Sequence, residues 1–181
     1  MTTTIAISGK GGTGKTTLAA MMVRELSRST SEAVLAVDAD PNSCLGLTMG
    51  VEVTRTIAEL REDSRNKRGG GRGMDHVSSF EYGLQQAITE AKGFDLVTMG
   101  RPEGPDCYCA ANNLLRRFLD KLSSQYRFVV VDNEAGMEHL SRRTTNNVDV
   151  LCIVAEFNPV GEVTARRIHD LAKTLRLSVK R

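Results

Sequence analysis

Tryptophan is absent, and aromatic residues of all kinds make up only 4% of the chain. So small a supply argues against stacking platforms for bases or sugars. Charge of one sign is also missing. The 24 Lys and Arg residues stand against 22 Asp and Glu, a formal net charge of +2, which gives no global field for nucleic acid or a membrane surface. No run approaches the roughly 18 uninterrupted apolar residues of a membrane span. The N-terminal MTTTIAIS lacks the basic start, apolar stretch and small-residue cleavage site of a secretory signal. The expectation is a cytoplasmic protein with neither a nucleic-acid nor a membrane partner. In that compartment the four cysteines read as thiols or metal ligands rather than disulfides.

What is present is a regular alternation of short apolar runs and helical patterns. The 181 residues suit a single domain that buries about 70% of the unfolded chain's surface. Strand patterns fall at Thr4–Ser8, Ala33–Asp38, Phe94–Met99, Arg127–Asp132 and Val148–Ala155. Helical patterns fall at Lys15 to about Ser29, Phe80–Lys92, Asn112–Ser123 and Val160 to about Leu175. Several strands are apolar almost throughout, as in a parallel sheet covered on both sides. The fold class is therefore α/β, a mainly parallel sheet with helices on both faces and right-handed crossovers. Two stretches interrupt the pattern. Residues 61–79 are basic and glycine-rich and read as a surface loop. Leu175–Arg181 reads as the approach to a further strand, so residues 1–181 are expected to be one domain lacking its C-terminal strands and helices.

S-G-K-G-G-T-G-K-T-T, residues 8–17, lies between a strand and a helix. Gly9–Thr16 fits G-x-x-x-x-G-K-T, the phosphate-binding loop of P-loop NTPases. The backbone N–H groups of Gly11, Gly12, Thr13 and Gly14 can turn inward on phosphates, and the helix N-terminus adds its positive end. In such a loop Lys15 reaches the β- and γ-phosphates of ATP, the Thr16 hydroxyl binds Mg²⁺ and Thr17 meets the α-phosphate side. Lys10 is additional. It is either one more local phosphate contact or a cation with another destination.

K-G-G-T-G-K-T-T resembles the deviant Walker A motif of the MinD/ParA/nitrogenase-iron-protein class. That resemblance implies that Lys10 crosses a homodimer interface to the facing subunit's phosphates, so that Lys10 and Lys15 both serve hydrolysis. Asp38-Ala39-Asp40-Pro41 resembles the class's switch I. It implies that Asp40 orients or deprotonates the attacking water and that Asp38 supports Mg²⁺ through its water shell. Asp132-Asn133-Glu134-Ala135-Gly136 resembles Walker B running into switch II, with Asp132 holding Mg²⁺ through water and Gly136 moving toward the γ-phosphate.

Among the cysteines, Cys152 sits in a strand pattern as a small apolar residue, and Cys44 follows the Asp38–Asp40 stretch without an evident role. Cys107 and Cys109 stand one residue apart in a Pro/Gly-rich loop before an amphipathic helix. Two thiolates can bind one soft or borderline metal but do not fill its shell. Two copies related by a dimer axis bring four, which suits tetrahedral Zn²⁺ or planar Ni²⁺.

GRPEGPDCYCAANNLLR and DNEAGMEHLSRR together resemble the CooC family, the maturation ATPases of nickel carbon monoxide dehydrogenase. The resemblance implies an ATP-hydrolysing, homodimeric metallochaperone. Cys107 and Cys109 bind Ni²⁺ or Zn²⁺ at the interface, and the client is carbon monoxide dehydrogenase or an acetyl-CoA synthase complex. Two alternatives share the P-loop. A MinD/ParA-type partitioning or positioning ATPase has no need of C-x-C. An iron–sulfur reductase like the nitrogenase iron protein carries its cluster cysteines on separate segments, unlike the pair here.

Overall fold

Apolar runs such as VLAVDA and FVVVDN have no polar alternation, so they fit positions covered on both sides. In the computed structural model, which describes residues 1–67, 83, 85–101, 107–135 and 148–174, these runs form the middle of one six-stranded sheet. The strands are β1 (Thr3–Gly9), β2 (Val34–Ala39), β3 (Ile88–Ala91), β4 (Phe94–Thr98), β5 (Phe128–Asn133) and β6 (Val150–Val154). Their spatial order is β3-β4-β2-β5-β1-β6. Every neighbouring pair is parallel except β3 with β4.

Helices cover both faces. α1 (Lys15–Ser29) and α2 (Cys44–Met49) pack Ala19, Ala20, Val23 and Leu45 on Ile7, Ala36, Leu96 and Val130. On the opposite face, α3 (Ile57–Lys67) and α4 (Cys107–Leu122) bury Ile57, Leu115 and Phe118 against Leu35, Val37, Val97 and Val129. α5 (Pro159–Thr174) closes the β6 end with Ile168 and Ala172 against Ala6 and Leu151.

Local chemistry starts and stops these helices. Thr56 and Glu59 form a reciprocal capping box on α3, the Thr56 N–H donating to Glu59 at 2.8 Å and the Glu59 N–H to Thr56 Oγ1 at 3.2 Å. Asn158 caps α5 by accepting the Gly161 N–H at 2.7 Å. Pro159 follows as the first helical residue, where its fixed φ fits. Such caps contribute about 1 kcal/mol each.

Three sequence expectations need correction. The helix expected over Phe80–Lys92 is helical only at 83 and 85–87 among its described residues, and its end is strand β3. Gly93 (φ 90°) makes the two-residue return into β4, pairing Ala91 with Phe94, which stacks Ile88–Ala91 on the sheet edge. The loop expected from residue 61 is helical as far as Lys67 as the end of α3; residues 68–79 lie outside the described residues. The segment holding Cys107 and Cys109 is the first turn of α4 rather than a loop before it. Leu175–Arg181 lies outside the described residues. Among the described residues, no helix is long and apolar enough to cross a membrane.

Candidate nucleotide-binding site

The site forms where β1 gives way to α1. At Gly9 a Cβ would stand 2.2 Å from the backbone oxygen of Val154, so only a hydrogen allows β1 to lie this close to β6. Gly12 and Gly14 have φ of 82° and 90°, a region that L side chains enter at a cost. These two turns coil the loop and bring Gly14 to the N-cap of α1 with no side-chain cap. The first N–H groups of the helix are left open at its positive end, a ready anion site. Within the loop, Thr13 Oγ1 donates to the Lys10 carbonyl at 2.9 Å and Lys15 Nζ donates to the same oxygen at 3.2 Å. Lys15 is buried, whereas Lys10 is exposed at the rim. Thr16 is half-buried and Thr17 exposed on the first turn.

Asp38 and Asp132 arrive from the neighbouring strands β2 and β5 at paired register positions, so both carboxylates occupy the sheet face on which α1 lies. Asp38 Oδ2 accepts the Leu45 N–H at 2.8 Å and its Oδ1 accepts the Asp40 N–H at 3.2 Å. Burial pushes its carboxyl up to about 7, against those two hydrogen bonds, with the charges of Asp132 and Asp40 adding to the rise. Burial also raises Asp132, opposed by the Thr16 hydroxyl and the Lys15 charge. The Thr16 contact falls short of hydrogen-bond geometry, and neither buried Asp132 oxygen has a partner. Unpaired buried polar atoms are costly. Two more lie at the same carboxyl edge, the hydroxyls of Ser8 and Thr98.

Asp40 is half-buried, and its Oδ1 accepts both the N–H and the side-chain amide of Asn42 at 2.8 and 2.9 Å. The chain then turns at Ser43, whose φ of 52° is the sole positive value at a non-glycine among the described residues. The structure thus gathers Lys10, Gly11, Gly12, Thr13, Gly14, Lys15, Thr16, Thr17, Asp38, Asp40 and Asp132 at one sheet edge. An anion cradle sits beside two buried carboxylates that call for a counter-charge. Mg²⁺ with a nucleotide's phosphates answers both demands, and the orphaned oxygens of Asp132 fit a cation held through water.

Cys107 and Cys109 head α4, which packs on the face opposite α1; their side chains, like Gly136 and the rest of 136–147, lie outside the described residues. Among the described residues no group of three or more His, Cys, Asp or Glu could hold a metal ion. Glu156 and Asn158 follow β6, and Asn158 is spent on capping α5. Sequence reasoning missed Asn133, which is buried and donates from Nδ2 to the Ile7 carbonyl at 3.1 Å. Its only signal was its place directly after Asp132.

The sequence profile of the CobQ/CobB/MinD/ParA nucleotide binding domain matches residues 4–180. An uncharacterised ATP-binding protein of Methanocaldococcus jannaschii is 44% identical over 179 residues, 97% of this chain and 70% of that protein. The carbon monoxide dehydrogenase accessory protein CooC of Rhodospirillum rubrum is 33% identical over 183 residues, 94% of this chain and 69% of that protein. Among solved structures, apo McdA of Cyanothece superposes with a TM-score of 0.68 at 25% identity, covering 97% of this chain and 67% of that one.

Proposed function

The chain belongs to the CobQ/CobB/MinD/ParA nucleotide-binding family and is a P-loop ATPase, and from that premise we propose that it is an ATP-driven homodimerisation switch. The observation that carries the proposal is the division of labour between its two lysines. Lys15 is buried and turned onto the loop, while Lys10 stands exposed at the rim, free to serve a second copy. Lys15, Thr16 and the loop N–H groups of Gly11–Gly14 hold the phosphates, and Thr17 meets the α-phosphate side. Asp38 and Asp132, with Thr16, hold Mg²⁺, the two Asp through water. The ion's part is to offset charge on the phosphates as the γ-phosphoryl departs. Asp40 orients the attacking water, and Lys10 of the facing subunit neutralises charge developing in the transition state. Mass in solution with ADP and with ATP tests this directly. A monomer under both conditions overturns it.

Of the two finer readings, partitioning or positioning is better backed. ParA and MinD name the family, McdA of Cyanothece superposes here, and the maintenance of carboxysome distribution protein A of Synechococcus elongatus is 29% identical over 175 residues. In this reading the ATP dimer is the form that engages a surface or partner, and hydrolysis releases it.

The second reading, nickel delivery to carbon monoxide dehydrogenase, has one specific observation in its favour. Cys107 and Cys109 stand one residue apart in a chain 33% identical to CooC of Rhodospirillum rubrum. Four thiolates from two copies suit Ni²⁺ or Zn²⁺. The helical backbone of this segment works against chelation by one chain, since positions i and i+2 of a helix do not face each other. A metal-binding assay with and without ATP separates the two readings: ATP-linked uptake favours delivery, and an ATP dimer without metal favours positioning.

A further inference from the structure

The β1–β5 ladder ends at the pair Ile7–Asp132. Beyond it the two strands part company. β1 continues beside β6 through Ser8–Ile153 and Gly9–Val154, while β5 continues beside β2 to Ala39–Asn133. The phosphate loop springs from one prong of this fork and the segment after Asp132 from the other. No further backbone rung joins them, but the Asn133 side chain does, donating from Nδ2 to the Ile7 carbonyl at 3.1 Å in a fully buried contact. Because a carbonyl only accepts, the amide's NH₂ end must face it. Just past the fork, Ala135 is the nearest atom to the space over Gly11, with its Cβ 3.7 Å from a Cβ built there.

We infer that Asn133 is a positioning residue that sets the width of this fork, and with it the distance between the Asp132 carboxylate and the phosphate loop. Neither Asp132 oxygen has a hydrogen-bond partner, and the Ser8 hydroxyl at the base of the loop has none either. The carboxylate that faces Thr16 is thus located by its backbone alone, and past the Ile7–Asp132 rung that backbone is tied to β1 by the Asn133 amide. A Mg²⁺ site tolerates little variation in ligand spacing, so a fork free to open weakens the ion's hold before it weakens the fold. The inference rests on the reading of Asp132 as a magnesium-supporting carboxylate.

Asn133→Leu keeps the branched heavy-atom shape and removes the donor, and Asp132→Asn serves as the reference. The measurement is the Mg²⁺ concentration for half-maximal ATP hydrolysis by the full chain, with ATP affinity in EDTA and the urea midpoint measured alongside. A lost buried hydrogen bond that leaves its acceptor unpaired corresponds to roughly a tenfold effect or more. The expectation is therefore a Mg²⁺ requirement raised about tenfold in Asn133→Leu, with EDTA-state ATP affinity changed by less than about threefold. A purely structural role lowers the urea midpoint and the active fraction but leaves the Mg²⁺ half-saturation in place, and that result overturns the inference. If Asn133→Leu does not fold, Asn133→Ser, which shortens the side chain but keeps a polar group, is held to the same criterion. Should Asp132→Asn itself leave the Mg²⁺ requirement unmoved, the reading of Asp132 fails, and the inference with it. A shift in Asp132→Asn but in neither Asn133 variant defeats the inference alone.

Discussion

Asp38 and Asp132 sit at paired positions on adjacent parallel strands, both buried, and only Asp38 has hydrogen-bond donors on its carboxylate. Burial makes both carboxylates resist ionisation, with the charges of Asp132 and Asp40 adding to the rise at Asp38 and that of Asp40 at Asp132, so each holds its proton above the usual range. That gives the nucleotide-free protein a pH signature. Folding lifts Asp38 from 3.8 to about 7, mainly through burial. Between those values the folded chain binds more protons than the unfolded one, so stability falls as pH rises through this window and levels off above it. At about 1.4 kcal/mol per pKa unit the total is on the order of a few kcal/mol. Urea midpoints of the nucleotide-free protein are expected to drop between pH 5.5 and 8, and the drop should shrink in Asp38→Asn. Mg²⁺ needs the ionised form, so its affinity rises over the same window with proton release, measurable with an indicator dye. A midpoint that climbs with pH equally in both proteins would count against the buried pair.

The two lysines predict separable defects. Lys15→Ala removes a charged donor from the phosphates, a loss of about 1.5–3 kcal/mol or roughly tenfold to a hundredfold in ATP affinity. Lys10→Ala, exposed at the rim, should keep ATP affinity within about threefold while abolishing ATP-driven dimerisation and hydrolysis. Fluorescent-nucleotide titration and light scattering read both. Normal dimerisation by Lys10→Ala would remove its role toward a second copy.

Two glycines of one loop are expected to fail in different ways. A Cβ at Gly9 meets the Val154 backbone oxygen at 2.2 Å, but one at Gly11 meets, among the described residues, only Ala135 Cβ at 3.7 Å. Gly9→Ala must therefore move a strand and should cost about 3 kcal/mol, lowering Tm by about 6–12 °C. Gly11→Ala should hold its Tm to within about 2 °C, like a surface change. Its methyl group instead crowds the face that approaches the phosphates, so ATP affinity is what falls. Calorimetry and ATP titration on both variants check the pair, and equal loss of Tm in the two would contradict the packing.

Much of this was legible in the sequence for one reason: buried parallel strands and a phosphate loop leave local marks. AVLAVD and RFVVVD lack alternation because both faces are covered, and glycine spacing marks the loop. What stayed hidden depends on distant partners. Ile88–Ala91 has helical neighbours in sequence and becomes a strand only through pairing with β4. The K-G step before Phe94 was the available hairpin cue. The raised carboxyl of Asp38 depends on its burial in the packed sheet face and, less, on Asp132 lying opposite, against the Leu45 N–H that α2 supplies. Asn133 as a clasp depends on strands parting, which no local pattern records.

Asp40→Asn tests the hydrolytic step apart from binding. Asp40 Oδ1 is engaged by Asn42, a turn that the amide oxygen of Asn can still accept, so local structure should survive. ATP affinity and dimerisation are expected to persist while turnover falls at least about a hundredfold, the scale of lost general-base or water-positioning assistance. An ATP-bound dimer should accumulate on gel filtration. Normal turnover would take the water-orienting role away from Asp40.

The cysteine pair makes the strictest demand on geometry. In the α-helical first turn of α4, Cys107 and Cys109 are separated by two residues' rotation, about 200° around the axis. One ion cannot be gripped by both thiols of one chain while that turn stays helical. Under the metal reading, two ways of binding remain. Each chain contributes both thiols after its first turn opens, giving one ion per dimer with four sulfurs. Otherwise one thiol per chain is used, and either Cys107→Ser or Cys109→Ser retains binding. The first is expected, because two thiolates leave Zn²⁺ or Ni²⁺ half-coordinated. Elemental analysis should give one ion per two chains, and both serine variants should lose it. Uptake should strengthen with pH as thiols ionise, and amide exchange at residues 110–113, whose N–H groups bind the carbonyls of that first turn, should quicken when Ni²⁺ binds. One ion per chain would defeat the shared site, and retained protection at 110–113 in the metal-bound dimer would defeat the opened turn. No uptake of Ni²⁺ or Zn²⁺ by an ATP-bound dimer would leave positioning as the function and Cys107 and Cys109 as ordinary thiols.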